Sequence, residues 1–444
     1  MARTEPARGM RDFLPEDVRR RVHVIGVITQ IYERYGFEPL ETPAVENIET
    51  LLGKYGEEGN QLIYKILKRG EHEASGQADL ALRYDLTVPL ARVVAHHHAK
   101  LPRLFRRYQI QPVWRADRPA RGRFREFYQC DVDALGSTSA VVEAELCAAV
   151  SDVLLALGFT DFRIRLNHRQ LLTALLGLAG VPADKHTDAI TALDKLDKIG
   201  PDGVRKELGD RGVDETAQAK LVELFLGGST NADLPRLAGL LEGDPVGVAA
   251  VANLQAILGL ADGTSADGRM AFDVTLARGL SYYTGAIMEI AVPDLAGSLG
   301  GGGRYDNLVG MFSKDTIPAC GFSLGLERIL VVMGERGMFP PTLATTPADV
   351  MLACFDASGL GAAIRVAATL REAGLRVLVY PDADKIGKQI KYADSRGIPF
   401  VGLLGEDEIR SGTLTVKHLS AQTQTTYDQA AAGAALREAL THRG

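Results

Sequence analysis

Apolar residues near the start of the chain recur with helical spacing. Val22, Ile25, Val27, Ile28 and Ile31 fall on overlapping faces of a helix predicted over Glu16–Tyr35. Gly36 ends it, and Phe37–Leu40 reads as a short strand stopped by Pro43. Gln61–Leu67 and Leu80–Tyr84 read as strands flanking a polar hairpin, Lys68–Asp79, that contains Gly70 and Gly76. Pro89–His98 reads as a helix, and Tyr108–Val113 and Arg125–Asp133 as an antiparallel pair around an arginine-rich loop.

From about Leu171 to Leu260 the pattern changes to Ala- and Leu-rich helical segments joined by loops such as Gly227–Asn231, as expected for a helical module inserted into a mixed sheet domain. Strands are predicted again at Ala271–Leu276, Ala286–Val292 and Cys320–Leu324. After a Thr- and Pro-rich linker, Thr342–Pro347, the chain alternates. Val350–Phe355, Arg376–Val379 and Pro399–Leu404 read as strands, with helices at Gly361–Ala373 and Lys385–Ser395 between them. That alternation predicts a small α/β domain with a largely parallel sheet.

At 444 residues the chain is long enough for two or three domains, and 46% apolar with 24% charged residues is a globular composition. The net charge of −6 confines any nucleic-acid contact to local basic patches. Cys130, Cys147, Cys320 and Cys354 are far apart with no CxxC spacing, which argues against a zinc site or a disulfide framework and fits a reducing cytosol. The N-terminus has no apolar core of signal-peptide length, and no segment reaches the roughly 18 to 20 apolar residues of a membrane span. A soluble, cytoplasmic protein is expected, with no membrane or DNA partner.

The strongest chemical signal is Trp114–Asp133, WRADRPARGRFREFYQCDVD. Arg115, Arg118, Arg121, Arg123 and Arg125 crowd one short loop that leads into a strand carrying Phe127, Gln129, Asp131 and Asp133. Such a segment can grip a polyanion at one end and a small polar molecule at the other. His96, His97 and His98 are consecutive on a helix, point in different directions and read as a solvated helix end rather than a metal site. Gly300–Gly303 lacks the Lys-Ser/Thr ending of a phosphate loop and reads as a tight turn or a close backbone approach to a ligand. No Ser-His-Asp or Cys-His set can be assembled, so the chemistry should rest on placed charge. Three further segments join the arginine loop: LRYDLT at Leu82–Thr87, LARGLSYYTG at Leu276–Gly285, and GLER at Gly325–Arg328.

Together these segments resemble the signatures of class II aminoacyl-tRNA synthetases, specifically the histidyl-tRNA synthetase family. Arg115 with Asp117 resembles motif 2, Gly325–Arg328 motif 3, and the Gly36–Gly53 region with Pro43 motif 1, the dimer element. LARGLSYYTG is similar to the histidine-specific signature, and GGGRYDNLVG at Gly301–Gly310 to the strand and loop beyond it. TALDKLDKIG at Thr191–Gly200 resembles the inserted helical domain of the eukaryote-like branch, and Lys385–Glu408 the anticodon-binding domain. The resemblance implies an α+β fold: a class II antiparallel-sheet catalytic domain with a helical insertion, followed by a small α/β anticodon-binding domain. The implied boundaries are 1–165 and 266–341 for the catalytic halves, 166–265 for the insertion and 348–444 for the last domain.

The resemblance also implies an activity: histidine and ATP form histidyl-adenylate, and the histidyl group then moves to the 3′ end of tRNA-His. By resemblance Arg115 and Arg278 are catalytic, on opposite sides of the α-phosphate and substrate carboxylate. Histidine is implied to contact Asp85, Leu86, Thr87, Arg115, Gln129, Asp133, Arg278, Tyr282 and Tyr283. ATP, accompanied by Mg2+, is implied to contact Arg115, Asp117, Arg123, Phe127, Gln129 and Arg328, with Phe127 stacked on adenine. A homodimer is implied, and the motif 2 loop and the insertion are the expected acceptor-stem contacts. Two positions depart from the family pattern. Position 281 is Ser where Asp is usual, a loss expected to be compensated nearby, and position 117 is Asp where many relatives have Glu. The alternative is a paralogue, either a regulatory subunit of ATP phosphoribosyltransferase, which lacks the C-terminal domain, or an enzyme that passes histidine to another acceptor.

Overall fold

The computed structural model describes residues 4–70, 75–226, 230–277, 282–340, 343 and 346–441, without the side chains of residues 56–58, 197, 198 and 226. Pro15 opens the first helix, Pro15–Arg34, at a position where its missing N–H breaks no hydrogen bond. Val24, Ile28, Ile31 and Tyr32 make its buried stripe; of the apolar positions read from the sequence Ile28 and Ile31 lie on it, Ile25 and Val27 flank it, and Val22 is exposed. Gly36 then turns the chain at φ 74°, a left-handed conformation that suits glycine.

The chain divides into two compact units, the second beginning again at Phe339. In the first unit the strands are β1 (Glu38–Pro39), β2 (Val45–Asn47), β3 (Lys65–Leu67), β4 (Ala78–Leu82), β5 (Phe105–Trp114) and β6 (Glu126–Leu135). They continue with β7 (Arg163–His168), β8 (Met270–Phe272), β9 (Ala286–Ala291), β10 (Gly300–Arg304) and β11 (Ala319–Gly325). Eight of them form one sheet in the order β1-β5-β6-β11-β10-β9-β7-β8. It is antiparallel except at its two edges, where β1 runs parallel to β5 and β8 to β7. A separate three-stranded sheet has the order β2-β4-β3.

Several local readings shift. The strand expected over 271–276 ends at Phe272, because Asp273 folds an Asx turn, its Oδ1 accepting from the Thr275 N–H at 2.9 Å and the Thr275 hydroxyl at 2.6 Å. The helix expected from Pro89 starts at Thr87, since the Asp85 carboxylate accepts the Val88 N–H at 3.1 Å. Of the strand expected over 61–67 only Lys65–Leu67 remains, preceded by a helical turn at Gly56–Gln61. Gly300–Gly303 is no turn at all. It runs inside β10, where a Cβ on Gly302 would lie 2.2 Å from the Gly321 carbonyl oxygen and one on Gly300 2.5 Å from that of Ser323. The close approach is between neighbouring strands.

Between β7 and β8 the chain forms helices Arg169–Ala179, His186–Leu193, Leu196–Asp210, Glu215–Leu226, Leu234–Leu240 and Pro245–Ala261. Leu196–Asp210 is broken at Gly200 (φ 69°, ψ 177°), next to Pro201, which cannot donate the interior hydrogen bond.

The second unit has β12 (Val350–Cys354), β13 (Val377–Val379), β14 (Phe400–Leu404), β15 (Thr413–His418) and β16 (Thr423–Asp428) in the order β13-β12-β14-β15-β16. The first three are parallel as anticipated. The last two, a Thr-rich hairpin that the alternation of apolar runs did not reveal, make the sheet mixed. Helices Leu360–Glu372 and Gln429–Thr441 bury Ala363, Val366, Leu370 and Leu436 in the core with Leu352, Phe400 and Leu414.

His168 caps the helix Arg169–Ala179, its Nδ1 accepting the Gln170 N–H at 3.2 Å, which requires a neutral ring with Nδ1 unprotonated. Burial, reinforced by the charge of Arg304, pushes its pKa down to about 4. The unfolded chain takes this proton near pH 6.5, so the contribution to stability is complete above that value and is lost as pH falls towards 4. It amounts to on the order of 3 kcal/mol. His168→Asn keeps a capping acceptor without the titration. The wild-type urea midpoint should therefore fall more than the variant's between pH 7 and pH 5; parallel profiles would contradict this account.

Candidate active site

Side chains alternate along a strand, so register decides what the sheet presents on each face. On one face Arg107 of β5 stands opposite Asp133 of β6, which stands opposite Gly321 of β11, which stands opposite Gly303 of β10. The next row on that face is Gln109, Asp131, Ser323 and Gly301, and the third begins Gln111, Gln129, Gly325. The central strands thus carry glycine and serine where their neighbours carry acids and amides. A cavity of about 720 Å3 opens over this bare floor, lined there by Gln129, Gly301, Ser323 and Gly325.

One wall is built around Asp85, at the end of β4. Its Oδ1 accepts the Tyr55 hydroxyl at 3.0 Å as well as the Val88 N–H, and its Oδ2 accepts the Tyr282 hydroxyl at 3.3 Å. Burial lifts its pKa above the ordinary carboxylate range, opposed by these bonds and by the charge of Arg115. Thr87 and Tyr283 line the cavity on this side, with the Tyr283 ring 5.2 Å from that of Tyr282. Leu86 does not reach it: its side chain is fully buried in the core, and its carbonyl takes a 3.5 Å bond from Arg107.

Arg115 stands at the foot of the arginine-rich loop, where its N–H bonds the Arg125 carbonyl at 2.9 Å and closes the hairpin. Its Nε donates to the Tyr84 carbonyl at 2.9 Å, and its guanidinium sits 4.2 Å from the Tyr84 ring and 5.3 Å from the Phe127 ring. A planar cation held this way is oriented while other N–H donors remain for a ligand. In the loop, Arg123 pairs with Asp117 at 2.8 Å and Gly122 turns the chain at φ 66°. Arg121 does not point at the cavity but pairs with Glu335. Arg328 lines the cavity and donates to the Ser298 carbonyl. Glu327, buried beside it, accepts from Arg21 at 2.8 Å and from the Tyr128 N–H at 2.9 Å, tying the motif-3-like segment to the first helix and to β6.

Asp133 is placed differently from a simple lining residue. It lies over Gly321, where a Cβ would fall 1.9 Å from its Oδ1, and it is held by Arg107 at 2.9 Å and by the Tyr305 hydroxyl. Asp131 lies 3.9 Å from the same guanidinium. Burial raises the pKa of both carboxyls and the Arg107 charge opposes that rise. Arg278 and Ser281 lie outside the described residues. Asp85, Thr87, Arg115, Asp117, Arg123, Phe127, Gln129, Tyr282, Tyr283 and Arg328 all line the one cavity.

Sequence reasoning passed over Tyr55, Tyr84, Arg169, Thr187 and Thr191, which line it too. Tyr84 lies within LRYDLT, so its neighbours were a signal. Arg169, Thr187 and Thr191 come from the helices between β7 and β8; Thr191 opens the TALDKLDKIG segment, whereas nothing local marks Arg169 and Thr187.

A profile described as histidyl-tRNA synthetase matches residues 9–329, and one described as an anticodon binding domain matches residues 349–439. The histidine–tRNA ligase of Christiangramia forsetii is 42% identical over 95% of this chain and 96% of its own length. That of Flavobacterium johnsoniae is also 42% identical, over the same shares. The chain belongs to the histidyl-tRNA synthetase family. The crystal structure of histidyl-tRNA synthetase from Nostoc sp. PCC 7120 superposes with a TM-score of 0.81 at 31% identity, covering all of both chains. This agrees with the class II α+β fold, a large antiparallel sheet accompanied by a smaller anticodon-binding unit.

In this histidyl-tRNA synthetase fold the Arg107 charge is the only cation within 4 Å of Asp131 and Asp133 among the described residues. Arg107→Met should cost about 3–5 kcal/mol at pH 8, because a buried carboxylate pair is left without its counter-charge. Part of that loss should return towards pH 5, below the value of about 7 to which burial raises Asp131. Urea unfolding at the two pH values checks this; an equal loss at both would refute the charge account.

Proposed function

We propose that this chain is a histidine–tRNA ligase that forms histidyl-adenylate from histidine and ATP and passes the histidyl group to the 3′ end of tRNA-His. One observation carries the reading: a single cavity brings Asp85, Thr87, Gln129 and Tyr283 to the same floor and walls as Arg115, in a chain that belongs to this family. The first group offers acceptors, a hydroxyl and an amide suited to an ammonium group and an imidazole. Arg115 offers an oriented cation for a carboxylate and a phosphate.

The substrate carboxylate is already ionised and attacks the α-phosphorus without a base. The site must align the two and stabilise charge growing on the phosphorus oxygens. Arg115, backed by the Tyr84 carbonyl and stacked beside two rings, serves both purposes, and Arg278 is its partner across the phosphate. Arg123, Asp117, Arg328 and Phe127 hold the nucleotide. Asp85, Thr87 and Gln129 take the α-amino group, Leu86 sits in the core behind them, and Tyr282 orients Asp85. Asp133 and Tyr283 read the imidazole. Polar atoms left unpaired by an analogue give roughly 10⁴- to 10⁵-fold discrimination.

Magnesium would come with the triphosphate: among the described residues no cluster of three or more His, Cys, Asp or Glu could hold an ion alone. The domain limits follow the same reading: a catalytic domain over 1–165 and 266–341, an insertion over 166–265 and an anticodon-binding domain over 348–444. The motif-1-like region at 36–53 makes a homodimer, and the enzyme works in the cytoplasm; among the described residues no helix is long and apolar enough to cross a membrane. The anticodon-binding match over residues 349–439 favours the ligase over a regulatory paralogue that lacks this domain.

ATP–pyrophosphate exchange tested with each standard amino acid should respond to histidine alone, and bulk tRNA should then be charged. No exchange with any amino acid would sink the reading. Exchange without charging would turn it towards another acceptor. A chain ending after Thr345 should keep exchange and lose most charging, and full charging by that truncation would refute the role given to the C-terminal unit.

A further inference from the structure

Arg169 is the first residue of the helix that follows β7, and it lines the cavity on the wall that also carries Thr187 and Thr191. Most arginines around this sheet are satisfied by acids. Arg165 pairs with Asp273 at 2.6 Å and Glu289 at 3.2 Å, Arg304 with Glu143 at 2.6 Å and Asp306 at 3.1 Å, and Arg123 with Asp117. Among the described residues no acid pairs with Arg169: its guanidinium donates to the Ala277 carbonyl at 3.4 Å, and burial lowers its pKa. The four residues after Ala277, Arg278–Ser281, contain no carboxylate either.

Arg115 is held in the same manner, by a carbonyl and not by an acid. A half-buried guanidinium at an open cavity keeps donors for an anion that arrives with a ligand. Its place at the positive end of an eleven-residue helix adds to that preference. Asp85, bonded to Tyr55 and Tyr282, marks the amino-acid end, and there Arg115, bonded to the adjoining Tyr84 carbonyl, already supplies a cation for the carboxylate. Arg169 shares its wall with Thr187 and Thr191 instead, and the anion left for it is a phosphate.

We propose that Arg169 is a further phosphate-binding residue of the reaction cavity, supplied by the helical insertion, whose guanidinium takes a phosphate oxygen during catalysis. This rests on the ligase reading above. The phosphate can come from the nucleotide in the first step or from the 3′-terminal phosphodiester of tRNA in the second.

Two variants, Arg169→Gln and Arg169→Lys, separate the sources. ATP–pyrophosphate exchange is measured against ATP and against histidine, and single-turnover transfer to tRNA is measured from preformed enzyme-bound histidyl-adenylate. Arg169→Gln should slow at least one of the two steps by about 10- to 100-fold, the effect of losing a charge-assisted hydrogen bond, with little change in the KM for histidine. Arg169→Lys, which keeps the charge, should recover part of that loss. A fall in exchange assigns the phosphate to the nucleotide; normal exchange with slow transfer assigns it to tRNA. Normal rates in both steps would overturn the proposal, as would equal deficits in both variants accompanied by a raised KM for histidine. Failure of the unaltered protein to exchange would instead strike at the ligase reading itself.

Discussion

A buried charge inside a sheet must be matched across its strands, and here the match sets the register of the whole site. Arg107 on β5 meets Asp133 directly opposite on β6, and Gly321 on β11 leaves the space that the Asp133 carboxylate fills. A slip of one residue in any of these strands would send the acids to the other face, where Cys130 and Val132 are buried. It would also bring a side chain into the gap between β10 and β11, where the glycines already allow no Cβ at Gly302 or Gly300. The ion pair and the glycine strand therefore impose the same alignment from two sides.

That alignment gives the cavity a floor without bulky side chains and walls dense in charge. Arg115 and Arg169 face the space anchored by carbonyl groups, while Arg165 and Arg304 spend their charge on structural acids. Cations left to be completed by a ligand are held before the ligand arrives, so little reorganisation remains to be done as charge develops. Asp85 follows the same logic with the opposite sign. Two tyrosine hydroxyls and one backbone N–H favour the charged form of a carboxyl whose pKa burial raises.

Much of this was legible along the chain. The apolar stripe of the first helix, the β5–β6 pair and the strand–helix alternation of the second unit follow from periods of 3.6 and 2, which side-chain geometry imposes locally. Local chemistry misled in definite places. Asp273 ended β8 early by bonding its own turn, the Thr-rich β15–β16 hairpin carried no apolar run, and the four glycines read as a tight turn or a close approach to a ligand run in a strand, three of them lining the cavity. In each case the deciding contact was a hydrogen bond or a neighbouring backbone, which hydropathy does not encode.

By itself the sequence determined which chemistry was available: the arginines of the motif-2-like loop, the acid and hydroxyl of LRYDLT, the tyrosine pair and the acids of β6. It also determined the two-part organisation, through the change of pattern near the linker. Only the tertiary structure decided where that chemistry meets. It turned Leu86 into the core and Arg121 towards Glu335, laid Asp133 over a glycine beside Arg107, and brought Arg169 and Thr191 of the insertion to the wall of the cavity. Those outcomes depend on strand register and on elements far apart in the chain, and spacing along the sequence constrains neither.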